Sequence, residues 1–160
     1  MGMLEVGRAA PDFSLIDDRG GRFALAGMRG RPVVLAFYCE DDSGGCVLEN
    51  QEFSALAPEF ERAGATLVAI SPQDVESHRK FSAKYGFAQP LLADPDLEAI
   101  KAYGLWAQKK LWGHEFMGVL RVTYLIGADG RIAGVFKASR IKGHAQKVLD
   151  AVRKLAVPAR

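Results

Sequence analysis

"PVVLAFYCEDDSGGC", residues 32 to 46, runs from an apolar, β-branched and aromatic stretch into an acidic loop, and then to two glycines and a cysteine. The apolar run 32–39 follows a Gly-Arg-Pro turn and predicts a buried central strand. Beyond it, "CVLENQEFSALAPEFERAG" (46–64) sets Phe53, Leu56, Phe60 and Ala63 at near-helical spacing and stops at Gly64, which predicts a helix. Pro58 is expected to kink or restart that helix, because a mid-helix proline removes a backbone donor. "TLVAIS" (66–71) reads as a second buried strand, so the first three elements form a parallel crossover.

Working outward, "DVESHRKFSAKYG" (74–86) opens on Asp74 as a helix N-cap and closes on Gly86. A shorter helix is expected over 96–104. The segment 118–138 has two extended runs around Gly-Ala-Asp-Gly and predicts an antiparallel hairpin. A final amphipathic helix over 143–156 places Ala145, Val148, Leu149, Val152 and Leu155 on one face. These elements make an α/β protein, a mixed central sheet flanked by helices.

At 160 residues the chain fits one domain, 1–160, able to bury roughly 70% of its unfolded surface without staples. No internal repeat, low-complexity tract or linker divides it. The 21 basic and 19 acidic residues are scattered with no block of one sign, so a solvated surface rather than a nucleic-acid stripe is expected. Glu5 and Arg8 interrupt any signal-peptide core, Val6 fails the myristoylation pattern, and no apolar run is long enough to span a bilayer. The expected setting is cytoplasmic, with no membrane partner.

The two cysteines, Cys39 and Cys46, flank the acidic loop with six residues between them. Free cysteine usually packs as a small hydrophobe, and Cys39 at the end of an apolar strand fits that description. Cys46 does not, because a helix start offers unpaired N–H groups and partial positive charge that favour a thiolate. Gly44 and Gly45 clear bulk for a small oxygen-bearing substrate, and Ser43 supplies a hydroxyl on the same loop. Glu40, Asp41 and Asp42 read as a solvated loop. With no C-x-x-C, and only His78, His114 and His144 elsewhere, no metal site is expected and a disulfide oxidoreductase is disfavoured.

Several separated stretches resemble one family in the same order. "APDFSLIDDRGGRFALAGMRGRPVVLAFYCEDDSGGC" (10–46), "VAISPQDVESHRKFSAKYG", "LLADPD" and "YGLWAQKKLWGHEFMGVLRVTYLIGADGRI" (103–132) are similar to peroxiredoxins of the bacterioferritin comigratory protein, or Q-type, group. The resemblance implies a thioredoxin-like fold and reduction of hydrogen peroxide and organic hydroperoxides through a peroxidatic cysteine, here Cys46. It implies Ser43 as the family's loop Ser/Thr and Arg121 as its active-site arginine, a strand residue whose guanidinium fork suits a thiolate and a departing oxygen. No metal, flavin or haem is required, and the partners implied are peroxide and thioredoxin or another thiol reductant. The expected assembly is a monomer or weak homodimer.

The chain departs from the family pattern in ways that bear on turnover. Cys39 stands in the place of the loop proline, and Gly44 where this group commonly has proline. The usual resolving positions hold Gln51 and Ser82. Cys39 therefore either fills the proline's space or resolves the oxidised Cys46 as the remaining thiol, and six intervening residues give the chain reach for a disulfide. A strand end and a helix start could hold the two sulfurs apart, in which case the first helical turn would have to unwind. The rival class is a non-turnover redox sensor or holdase-like protein on the same fold.

Overall fold

The computed structural model describes residues 2–155. In chain order, β1 (Ser14–Ile16) and β2 (Arg22–Ala24) form a small antiparallel ribbon ahead of β3 (Val33–Phe37), α1 (Gly44–Arg62) and β4 (Thr66–Ser71). There follow α2 (Val75–Tyr85), β5 (Leu91–Ala93), α3 (Glu98–Ala102), and a second ribbon of β6 (Trp106–Leu111) with β7 (His114–Val119). The hairpin β8 (Val122–Ile126) and β9 (Ile132–Lys137) and the helix α4 (His144–Leu155) complete the chain.

The main sheet has the order β5-β4-β3-β8-β9. Strand β3 pairs parallel with β4 and antiparallel with β8, so it lies at the centre and is buried along its whole length. A strand covered on both faces must be apolar on both, which is why 33–37 reads as an unbroken run rather than an alternation. Val33, Leu35 and Phe37 face Tyr103, Tyr124 and the residues of α3, while Val34 and Ala36 face Phe53 and Phe60 of α1, Phe81 of α2 and Val148 and Leu149 of α4. The result is the expected mixed sheet between helices, with the start of α1 a short loop beyond the C-terminal end of the central strand β3.

The element boundaries correct the sequence reading in places. Tyr38 still donates its N–H to the Ile70 carbonyl, but Cys39 lies past the strand. Helix α1 starts two residues earlier than predicted and runs through Pro58 without restarting, since its apolar face on the sheet outweighs the lost backbone bond. Arg121 is not in a strand: it sits in the two-residue link between β7 and β8. The extended run from 118 therefore belongs to two different sheets. Leu155 is 43% exposed and is not part of the buried face of α4, and Ala156 lies outside the described residues. Asp74 and Gly86 bound α2 as expected, Asp74 accepting from Ser77 N–H at 2.9 Å and Gly86 adopting a left-handed φ of 69°.

Candidate active site

The loop between β3 and α1 is fastened from below. The Asp41 carboxylate accepts from Tyr38 Oη at 2.6 Å, Ser77 Oγ at 2.7 Å and His78 Nδ1 at 2.7 Å, and its backbone N–H donates to Gln73 at 3.1 Å. Burial works to raise the Asp41 pKa, yet the hydrogen bonds from His78, Tyr38 and Ser77 carry it below the usual carboxylate range. Asp42, with φ of 60°, turns outward to accept from Lys84 and Tyr85, each at 2.9 Å. Within the acidic run Asp41 is thus an anchor, while Glu40 and Asp42 stay exposed, as the solvated loop expected from sequence has them. The alternating roles of Asp41 and Asp42, one carboxylate in and one out, have no periodic signature.

Above this anchor α1 begins at Gly44, and Cys46 lies in its first turn with no exposed surface. The Cys46 thiol is driven well below its ordinary range, the largest cause being the Cys39 S–H, which donates to its sulfur. Burial opposes the shift. The Ser43 hydroxyl, the Glu40 backbone N–H and the Arg121 charge add to it. Ser43 is the N-cap residue, yet its hydroxyl makes no bond to a helix N–H and instead reaches the Glu40 carbonyl at 3.2 Å and the Cys46 sulfur.

The two glycines play different parts. A Cβ on Gly45 would meet Ile141 Cδ1 at 2.9 Å and Arg121 Nη2 at 3.2 Å, so this glycine makes room for the guanidinium. A Cβ on Gly44 would meet nothing within 4 Å, so no close packing requires glycine there. Arg121 Nη1 donates to Glu49 Oε1 at 3.1 Å, fixing the fork beside the helix start.

Glu49 is the residue that sequence reading missed, although its place one turn after Cys46 puts it on the same helix face. It is 2% exposed, and its Oε2 has no hydrogen-bond partner, lying 3.9 Å from His144 Nε2. Burial pushes the Glu49 acid up to about 8, against the pull of Arg121 and with a further push from the Cys46 charge. His144 is carried down to about 4 by burial and by the Lys147 and Arg121 charges, and it shares a 2.8 Å hydrogen bond with Thr123 Oγ1. With Glu49 largely protonated at neutral pH, the Arg121 charge is left for the sulfur and for any oxygen brought to it.

Cys39 is half-buried on the other side of Cys46. Its S–H has two acceptors in reach, the Val119 carbonyl at 3.2 Å and the Cys46 sulfur. The two sulfurs are therefore neighbours before any helical turn unwinds. Cys39 itself is pushed far up, first by that hydrogen bond to Cys46, then by burial and the Cys46 charge, with Lys109 and Arg121 pulling the other way. An acidic thiol, a guanidinium, a hydroxyl and a second thiol at one helix start form a site suited to attack on an electrophilic oxygen or sulfur.

A mixed sheet of this order with a low-pKa cysteine in the first turn of the helix that follows its central strand defines a thioredoxin-like thiol enzyme. The chain belongs to the AhpC/TSA family, whose model matches residues 6–135. It is 40% identical over 152 residues to the putative peroxiredoxin bcp of Helicobacter pylori, covering 95% of this chain and all of the relative. It is 31% identical to peroxiredoxin Bcp of Bacillus subtilis, covering 96% and 98% of the two chains. The bacterioferritin comigratory protein of Xanthomonas campestris, solved in a study of its alkyl peroxide reduction activity, superposes with a TM-score of 0.87 at 34% identity over 98% of this chain and 99% of that one. A PrxQ variant from Xylella fastidiosa gives a TM-score of 0.90 at 30% identity over 96% and 98%. The protein is a thiol-dependent peroxidase of the peroxiredoxin class, with a peroxide as substrate and a thiol as reductant. These relatives do not favour the sensor or holdase-like reading. Among the described residues no helix is long and apolar enough to cross a membrane.

Proposed function

We propose that Cys46 is the peroxidatic cysteine and that the substrates are hydrogen peroxide and organic hydroperoxides. The Cys46 thiolate attacks the terminal peroxide oxygen in line with the O–O bond. A sulfur–oxygen bond forms, the O–O bond breaks, and the departing oxygen takes a proton to leave as water or an alcohol, giving a Cys46 sulfenic acid. Ser43, the Arg121 guanidinium and the free N–H groups of Gly44 and Gly45 stabilise the charge that develops on the two oxygens. The observation that carries the reading is a fully buried cysteine in the first turn of a helix whose N-cap hydroxyl makes no cap bond, with the Arg121 guanidinium packed against Gly45 beside it and its thiol held well below the ordinary range. The alkyl peroxide reduction studied in the Xanthomonas relative supports organic hydroperoxides among the substrates.

Cys39 is the resolving cysteine in this proposal. It attacks the Cys46 sulfenic acid to give an intramolecular disulfide, and a dithiol protein of the thioredoxin type reduces it by exchange. The chain acts as one domain in the cytoplasm, as a monomer or weak homodimer. Intact mass after one equivalent of peroxide tests the cycle. The expected product is a linked Cys39–Cys46 peptide with loss of two hydrogens, returned to two thiols by thioredoxin. Peroxide consumption that survives Cys46→Ser would overturn the assignment of the nucleophile.

A further inference from the structure

The ribbon of β6 and β7 reaches back over the site with one charged side chain. Lys109 Nζ lies 3.5 Å from Cys39 Sγ and 3.1 Å from the Val119 carbonyl, the same carbonyl that faces the Cys39 thiol at 3.2 Å. Its stem occupies space that a side chain at Gly118 would claim, since a Cβ there would come within 2.8 Å of Lys109 Cδ. Gly118 sits two residues from Phe116, the strand partner of Lys109, so the glycine lets the stem cross the ribbon toward the sulfur. A half-buried ammonium held on a thiol in this way favours the thiolate.

We propose that Lys109 is a catalytic residue of the resolving step, its ammonium stabilising Cys39 as the thiolate that attacks oxidised Cys46. The proposal rests on reading Cys39 as the resolving cysteine. In the reduced protein the Cys46 anion holds the Cys39 proton in place, and this hydrogen bond is the largest cause keeping Cys39 a thiol. Oxidation turns Cys46 into an uncharged sulfenic acid and removes both that cause and the Cys46 charge; burial still opposes ionisation of Cys39, and the Lys109 and Arg121 charges facing it act against that burial. The second nucleophile is thus released by the first reaction. The Cys39 electron pair then forms the S–S bond, the Cys46 S–O bond breaks, and the leaving hydroxide takes the proton that Cys39 gave up, so the step yields a disulfide and water.

Rapid-quench mass spectrometry on the full chain, after one equivalent of hydrogen peroxide, separates sulfenic acid from disulfide over time and over a range of pH. Lys109→Met is expected to slow conversion of sulfenic acid to disulfide at neutral pH by at least about threefold, because the lost thiolate fraction outweighs the gain in intrinsic nucleophilicity. The rise of that step with pH should also move to higher pH, and Lys109→Arg should restore both. Gly118→Ala, whose added Cβ presses on the lysine stem, should delay the step in the same direction while keeping the charge, and serves if the Met variant does not fold. A wild-type protein that forms the disulfide while Lys109→Met and Gly118→Ala keep its rate and pH profile would overturn the role of Lys109 and leave Cys39 as resolver. A wild-type protein that forms no disulfide would overturn both.

Discussion

Helices α1 and α2 both start where a parallel strand of the same sheet ends, and they are finished in opposite ways. At α2 the Asp74 carboxylate accepts from Ser77 N–H at 2.9 Å, so the helix closes its own first turn. At α1 the corresponding residue, Ser43, makes no such bond, and its hydroxyl goes to Glu40 O and to Cys46. A capped start is a stabilising device worth about 1 kcal/mol. An uncapped one leaves donors and partial positive charge for a sulfur and its substrate. The difference between the two ends is what separates a structural helix start from a reactive one.

The largest effect expected at the open end is from Cys46→Ser, which should reduce peroxide consumption to background, because an alcohol stays protonated near neutral pH. Next, Arg121→Ala should slow sulfenic acid formation by about 10²-fold, as loss of one preorganised charge donor does, and Arg121→Lys should recover little because the planar fork held by Glu49 is gone. A stopped-flow rate for Arg121→Ala close to that of wild type would reject this role.

The comparison itself is sharpened by a pair of truncations. Ser43→Ala should slow the peroxide step about tenfold through the lost hydrogen bond to a charged sulfur, with a stability change under about 0.5 kcal/mol. Asp74→Ala should do the reverse, costing about 1 kcal/mol in thermal or denaturant unfolding with the peroxide rate constant kept. If both variants lost stability alike and neither lost rate, the two helix starts would be equivalent and the distinction would fail.

A smaller effect is expected from Glu49. Unfolded glutamates titrate near about 4.3, so a folded acid raised to about 8 stabilises fully at lower pH. That contribution is lost as pH rises between the two values. Glu49→Gln, uncharged like the protonated acid, should therefore lose less stability than wild type across this range in denaturant titrations at several pH values. Equal pH dependence in the two proteins would show that Glu49 is not held protonated.

Much of this was legible in the residues. The buried run 33–37, the helix behind Ser43-Gly-Gly and the Asp74 and Gly86 bounds of α2 follow from local chemistry that the tertiary structure leaves in force. The ribbons were not legible. Strands of three residues in β1 and β2 carry too little pattern, and "WAQKKL" with "HEFMGV" pair only with each other, so most of their positions stay partly or wholly exposed and no alternation is imposed. That omission hid Lys109, which meets Cys39 only through the ribbon's return over the site. Glu49 was within reach of a helical-face argument from Cys46, whereas the burial of Asp41 depends on His78 and Ser77, elements far along the chain. Spacing alone left open whether the two sulfurs could meet, because that depends on how a strand end and a helix start are set against each other.

The central claim is that the open start of α1, with Cys39, Ser43 and Arg121 around it, keeps Cys46 as a thiolate at neutral pH. The pH dependence of the second-order rate constant for oxidation of wild-type protein by hydrogen peroxide, followed by stopped flow, tests it most directly. The account predicts a constant that is flat through neutral pH and falls only in acid, as pH drops through the depressed Cys46 pKa. A constant that climbs steadily through neutral pH toward a midpoint near about 8.5, the value of an ordinary thiol, would contradict it.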